Sequence, residues 1–202
     1  MLQGLSSALG LMWQARTSFT PRKWRLYACA CARRLQESGR EPLRSAIALV
    51  ERYADGEASD HELAALRFGS RGHPDSPAAI LCWPADAEPW DVVRRFVHWI
   101  LGSEGGLARW EHHTPYLDLL RELAGPTPAP PPPAPELLAW EAGLLKRMAL
   151  EAYSANDWAR LPVLGDALED AGCTDEAILS HCRGGSSHVR GCWVVDWLLG
   201  RK

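Results

Sequence analysis

The chain has 202 residues, 47% of them apolar and 23% charged, with a net charge of −3. That length supports one full hydrophobic core or two small ones, and a pI near 6.2 argues against the broad positive face that a nucleic-acid domain concentrates. No apolar run approaches the ~20 residues that span a bilayer, and the stretch from Met1 to Trp13 lacks the basic start of a signal peptide, so no membrane role is expected. The expected location is the cytoplasm, where the six cysteines stay reduced.

Ser18-Phe-Thr-Pro21 predicts a helix start with Pro21 at its first position. The helix that follows lines up Trp24, Tyr27, Ala28, Cys31 and Leu35 on one stripe, with Arg22, Lys23, Arg25, Arg33 and Arg34 largely off it. Gly39 is its expected end. Leu43, Ala46, Ile47, Val50 and Ala54 make a second stripe that runs to Asp55-Gly56. Ser59-Asp-His-Glu62 reads as a capping box that opens a third helix through Leu63 and Leu66. Pattern is lost from Gly69 to Pro89, apart from a short apolar piece at Ile80-Leu-Cys-Trp83. Helical spacing returns with Trp90, Val93, Phe96, Val97, Ile100 and Leu101, and again with Tyr116, Leu119, Leu120 and Leu123.

Seven prolines fall between Pro126 and Pro135. Their fixed φ and missing amide donors predict a polyproline II segment. It is either a linker between an N-terminal helical region 1–125 and a C-terminal region 136–202, or a surface loop within a single domain 20–200. From Glu136 to Tyr153 one long helix is expected, with Leu137, Leu138, Leu145, Met148, Ala149 and Ala152 facing inward, and Asn156 or Asp157 capping the turn that leads to Pro162.

The tail predicts three further helices. Leu161, Leu164, Leu168 and Ala171 recur at helical spacing before Gly172, which is placed for a left-handed cap. Thr174 is a candidate cap for a second helix that ends at Gly184, and Ser187 for a third that ends at Gly200. No strand-like alternation of useful length occurs. The predicted fold is all-α, a compact multi-helix bundle with a Pro-rich insert.

Several phrases together resemble a family of uncharacterised proteins multiplied in planctomycete bacteria. They are Leu26-Tyr-Ala-Cys-Ala-Cys31 with two arginines after it, Glu51-Arg-Tyr-Ala-Asp-Gly56, and above all the tail phrases ending in Ala-Gly-Cys173, Ile-Leu-Ser-His-Cys-Arg183 and His-Val-Arg-Gly-Cys-Trp-Val-Val-Asp196. The resemblance covers roughly residues 20–70 and 115–200. It implies a bacterial source and a Pro-rich run that is a variable insert within one unit. No activity, cofactor or catalytic residue comes with it, and it leans toward a role in protein contacts.

The tail holds Cys173, His181, Cys182, His188 and Cys192, all of them possible zinc ligands. Adjacent residues 181 and 182 diverge by ~100° on a helix, so both cannot face one ion. Buried cysteines are common without any ligand role, and the first reading of these five residues is interhelical packing, with no cofactor. A thiol nucleophile made of His188 and Cys192 four residues apart is a further alternative. Glu111, His112 and His113 with His98 could ligate a metal, although a polar loop tip explains them more simply. Cys29 and Cys31 lie ~200° apart on a helix and read as packing residues. The basic residues 22–34 read as a solvated face or a contact for an acidic partner. The hairpin 161–183 resembles a helix-turn-helix in outline, but Asp175 and Glu176 stand where DNA phosphates would have to sit. The tryptophans beyond the needs of a core suggest an aromatic contact surface. The expected function is therefore protein–protein contact, as an adaptor or regulatory accessory with another protein as partner. The alternative is a metal-dependent or thiol enzyme that uses the tail cysteines and histidines.

Overall fold

The computed structural model describes residues 14–37, 43–69, 77–84, 87–91, 93, 95, 114–185 and 188–202. Of the described residues 72% are helical and none lies in a strand, so the all-α expectation holds. No helix among them is long and apolar enough to cross a membrane. The chain divides into two units, Met1–Leu120 and Arg121–Lys202. The proline run 126–135 lies inside the second.

The first unit contains α1 (Pro21–Glu37), α2 (Arg44–Ala54), α3 (Asp60–Gly69) and α4 (Pro77–Leu81). Pro21 opens α1 as its spacing predicts. The burial of α1 is wider than one stripe, because every residue from Lys23 to Ala32 is buried. Arg25 was expected off the apolar face, yet it is 3% exposed. Its guanidinium lies 4.6 Å from the Tyr53 ring and 4.4 Å from the Trp83 ring, and donates to the carbonyls of Trp83 and Pro84 at 3.1 and 3.3 Å. Two other cations of the basic run also have partners within the unit. Arg22 pairs with Asp55 at 3.0 Å and Arg33 with Glu51 at 2.7 Å. The basic run is thus largely consumed in the unit's own structure.

The capping box is formed as predicted. The Ser59 amide donates to Glu62 Oε2 at 2.8 Å, and the Glu62 amide donates to Ser59 Oγ at 3.3 Å, which satisfies two amides at the start of α3. Leu43, Ala46, Ile47, Val50 and Leu63 are buried, and each such large aliphatic side chain contributes about 1.5–3 kcal/mol. Gly39, Phe96, Val97, His98, Ile100, Leu101, Glu111, His112, His113 and Ser187, all singled out in the sequence, lie outside the described residues.

The helix α5 (Thr114–Ala124) carries the chain into the second unit, followed by α6 (Pro135–Ala139), α7 (Leu144–Ala155), α8 (Leu161–Asp170), α9 (Glu176–Arg183) and α10 (Trp193–Leu199). The single long helix expected from Glu136 to Tyr153 is broken. Trp140–Ala142 forms a 3-10 turn in which Glu141 and Ala142 take φ of 45° and 54°, a conformation that costs roughly 1–2 kcal/mol for each non-glycine residue. Arg147 offsets it by donating to the carbonyls of Ala142 and Glu141. That contact comes from the next helix, so the apolar periodicity alone does not reveal the break.

The second unit's core is built from Leu145, Ala149, Ala152 and Tyr153 of α7, Leu161, Leu164 and Leu168 of α8, Ile178, Leu179 and Cys182 of α9, and Val194, Val195 and Leu198 of α10. The end of α8 follows its sequence signal. Gly172 has φ +90°, its amide donates to Glu169 O, and the Cys173 amide donates to Leu168 O, both at 2.9 Å, which is the Schellman pattern. The start of α9 differs by one residue from the expectation. Asp175, not Thr174, is the cap, its Oδ1 accepting from the Ala177 and Ile178 amides. The last helix begins at Trp193, after Cys192 and not after the Ser187 expected to cap it, and ends at Leu199 with Gly200 as its cap.

Candidate metal centre

Four side chains of the second unit converge. Glu122 comes from the last turn of α5, His181 from the last turn of α9, His188 from the connection that follows, and Cys192 from the residue that precedes α10. One ligand-type atom from each lies within 4.8 Å of all the others. His181 Nε2 is 3.3 Å from Cys192 Sγ and 3.3 Å from Glu122 Oε2, and His188 Nδ1 is 2.9 Å from Glu122 Oε1. The cluster is buried: the side chains of Glu122 and His188 are each 4% exposed, that of His181 is 15%, and Cys192 is fully enclosed.

Local folding explains the convergence. Gly125, at φ +71°, ends the helix that carries Glu122, and an added Cβ there would stand 2.8 Å from the Trp193 ring. Only glycine lets the chain pass this close, and the contact brings the Glu122 turn against the segment that carries Cys192. The His181 ring packs on Trp193 at 5.0 Å and on His188 edge-on at 4.9 Å. Three rings therefore fix the angle at which the imidazoles meet the carboxylate.

Three of the five tail candidates are together here: His181, His188 and Cys192. Cys173 and Cys182 are elsewhere. Cys182 is buried on the other side of α9, where a Cβ at Gly165 would meet its own Cβ at 2.8 Å, so the divergence of adjacent residues 181 and 182 is realised. Cys173 is half-buried. Residue Glu122 was absent from the sequence reading. It lies 66 positions from His188, and the one local signal for it is an acid placed among Leu119, Leu120 and Leu123 on the buried stripe of α5.

Burial and hydrogen bonding act in opposite senses on the titratable groups of the cluster. Burial alone would raise the Glu122 carboxyl, but hydrogen bonds from His181 and His188 outweigh it and hold the carboxyl below its ordinary range. Burial, with the Glu122 charge beside it, pushes the Cys192 thiol well above its ordinary value. A thiol in that state is not the thiolate that nucleophilic catalysis needs, and its enclosure keeps a substrate from it. The relation of His188 to Cys192 is also not the helical one that the spacing suggests, because residues 188–192 form a turn before α10 begins. His188 Nε2 is buried without a hydrogen-bond partner among the described residues, and its Nδ1 faces Glu122.

Zinc bonds of about 2.0–2.2 Å to nitrogen and oxygen and 2.3 Å to sulfur imply ligand–ligand edges of roughly 3.3–3.8 Å. The two 3.3 Å separations match that edge. The 2.9 Å contact of His188 Nδ1 with Glu122 Oε1 is shorter, a hydrogen bond that an ion would have to replace, and the widest separation, up to 4.8 Å, would have to contract by about 1 Å. No protein-family model, curated protein or solved structure matches this chain.

Proposed function

We propose that the second unit is a metal-clasped helical module that binds one divalent transition ion, zinc in the first instance, through Glu122, His181, His188 and Cys192. The observation that carries this reading is the meeting of one carboxylate, two imidazoles and one thiol within 4.8 Å in a buried place. Charge supports it. A dication bound to one carboxylate, one thiolate and two neutral imidazoles is electroneutral, which a low-dielectric interior favours. Donor chemistry supports it too, since sulfur and nitrogen donors select zinc-like ions over magnesium or calcium.

The module is structural in this reading. Four protein atoms fill the four places of a zinc ion, whereas a catalytic zinc keeps one place for water or substrate. Binding removes the Cys192 proton, and the ion supplies the positive charge that the buried thiolate otherwise lacks. It ties together α5, α9, the connection through His188 and α10. A protein whose shape is fixed in this way suits contact with other proteins better than turnover of a substrate.

The test is metal analysis of tag-free protein purified without chelator. The expected result is close to one zinc per chain in the native protein, with loss of the ion in Glu122→Ala and in Cys192→Ala. Protein that carries no metal, and that takes up none when zinc is added after treatment with a chelator, would overturn the proposal.

A further inference from the structure

The stretch Pro128–Pro135 has a three-fold pattern of exposure. Pro130 and Pro133 are half-buried, whereas Pro128, Ala129, Pro131, Pro132, Ala134 and Pro135 are exposed. Polyproline II has three residues per turn, so residues 130 and 133 form one edge of such a helix. Residues 128, 131 and 134 form the second edge, and residues 129 and 132 the third. Covalent geometry predicts the same conformation. Proline fixes its own φ, and a residue before proline is driven to extended or polyproline II angles, which here covers Ala129 to Pro132 and Ala134. Ala134 has φ −60° and ψ 144°, as that conformation requires.

The run is therefore a proline helix set with one edge inward and two edges outward. It is held in place. Trp197 of α10 donates from Nε1 to the Pro131 carbonyl at 2.6 Å, which is an indole to proline-carbonyl contact of the kind aromatic proline-binding grooves make. Pre-ordering of this kind lowers the entropy that a partner must remove on binding.

We propose that the two outward edges, with Pro131 and Pro132 at their centre, form a docking ridge for a partner protein with an aromatic-lined, proline-recognising groove. Flanking charge narrows the partner. No Lys or Arg occurs between Arg121 and Lys146, while Glu136 and Glu141 follow the run and are exposed. A groove that grips a neighbouring cation with an acidic pocket therefore lacks its anchor here. A groove with a neutral or basic rim fits. This inference is independent of the ion, because it rests on the backbone and exposure of the proline run.

The test uses an isotope-labelled WW domain of the class that binds uncharged proline runs, titrated with the full chain and followed by NMR. The expected result is saturable shifts confined to the aromatic groove. A Pro131→Ala/Pro132→Ala double variant should weaken binding by about tenfold or more, as loss of central contacts does. A Pro130→Ala/Pro133→Ala variant, changed on the inward edge, should weaken it several-fold less. An unchanged melting temperature in both variants shows that the fold is intact. Absence of groove shifts at millimolar chain, or equal loss from both double variants, would overturn the proposal.

Discussion

Each unit buries charged side chains, and two of them, Arg25 and Glu122, are handled in opposite ways. In the first, Arg25 lies between the rings of Tyr53 and Trp83 and donates to two backbone carbonyls. Aromatic faces and carbonyl dipoles stabilise the cation, with no carboxylate in salt-bridge contact among the described residues. In the second, Glu122 is met by two imidazoles and a thiol, groups that can all bind a cation and that carry no fixed positive charge. The first arrangement satisfies its cation with protein groups alone, and in the second the proposed ion would supply the positive charge.

The cysteines show the same contrast. Cys29 points its thiol toward the Ile47 carbonyl at 3.9 Å, and burial raises the thiols of both Cys29 and Cys31. Cys192 is just as buried, but its neighbours are His181 and Glu122. Burial of sulfur by itself therefore carries no chemistry, and the identity of the neighbouring atoms decides.

The largest expected effect breaks the comparison at the ion. Removal of zinc, or Glu122→Ala, should destabilise the second unit by about 4 kcal/mol if free zinc exceeds the Kd a thousandfold. Thermal melts with and without chelator measure this, and the chelator should leave the melt of Glu122→Ala unchanged. Next, Trp193→Ala should cost about 3–5 kcal/mol, because the ring packs on both Gly125 and His181. It should also weaken zinc binding, which a competition titration would detect. Arg25→Ala should cost about 3 kcal/mol by opening a gap between two rings and freeing two carbonyls, while the metal content stays the same. A drop in zinc with Arg25→Ala would erase the distinction drawn between the two buried charges.

The smaller effects sharpen it. Cys182→Ala should lose about 1 kcal/mol and keep its zinc, whereas Cys192→Ala should lose the ion. Acid should act on the metal-free unit through Glu122. Its folded pKa lies below the ordinary carboxyl range, so its contribution is present above the unfolded value near ~4.3 and is lost as pH falls through the folded value. Denaturant unfolding of metal-free protein between neutral and acid pH should show that loss, and Glu122→Gln should flatten it.

Much of the fold was legible in the sequence because its signals are local. Pro21, the Ser59 to Glu62 box, Gly172 and Gly200 each fix a helix end through backbone conformation or a cap within four residues. The break at Glu141 and Ala142 was hidden because the contact that offsets it comes from Arg147 across the turn. Of the metal centre, His181, His188 and Cys192 were visible as candidates. Glu122 was not, since only the packing of Gly125 on Trp193 brings α5 to the tail.

Zinc X-ray absorption on the purified protein addresses the metal centre most directly. The account predicts a four-coordinate ion with one sulfur at about 2.3 Å and three nitrogen or oxygen neighbours at about 2.0–2.2 Å. A spectrum with no sulfur neighbour, or with two or more, would contradict it.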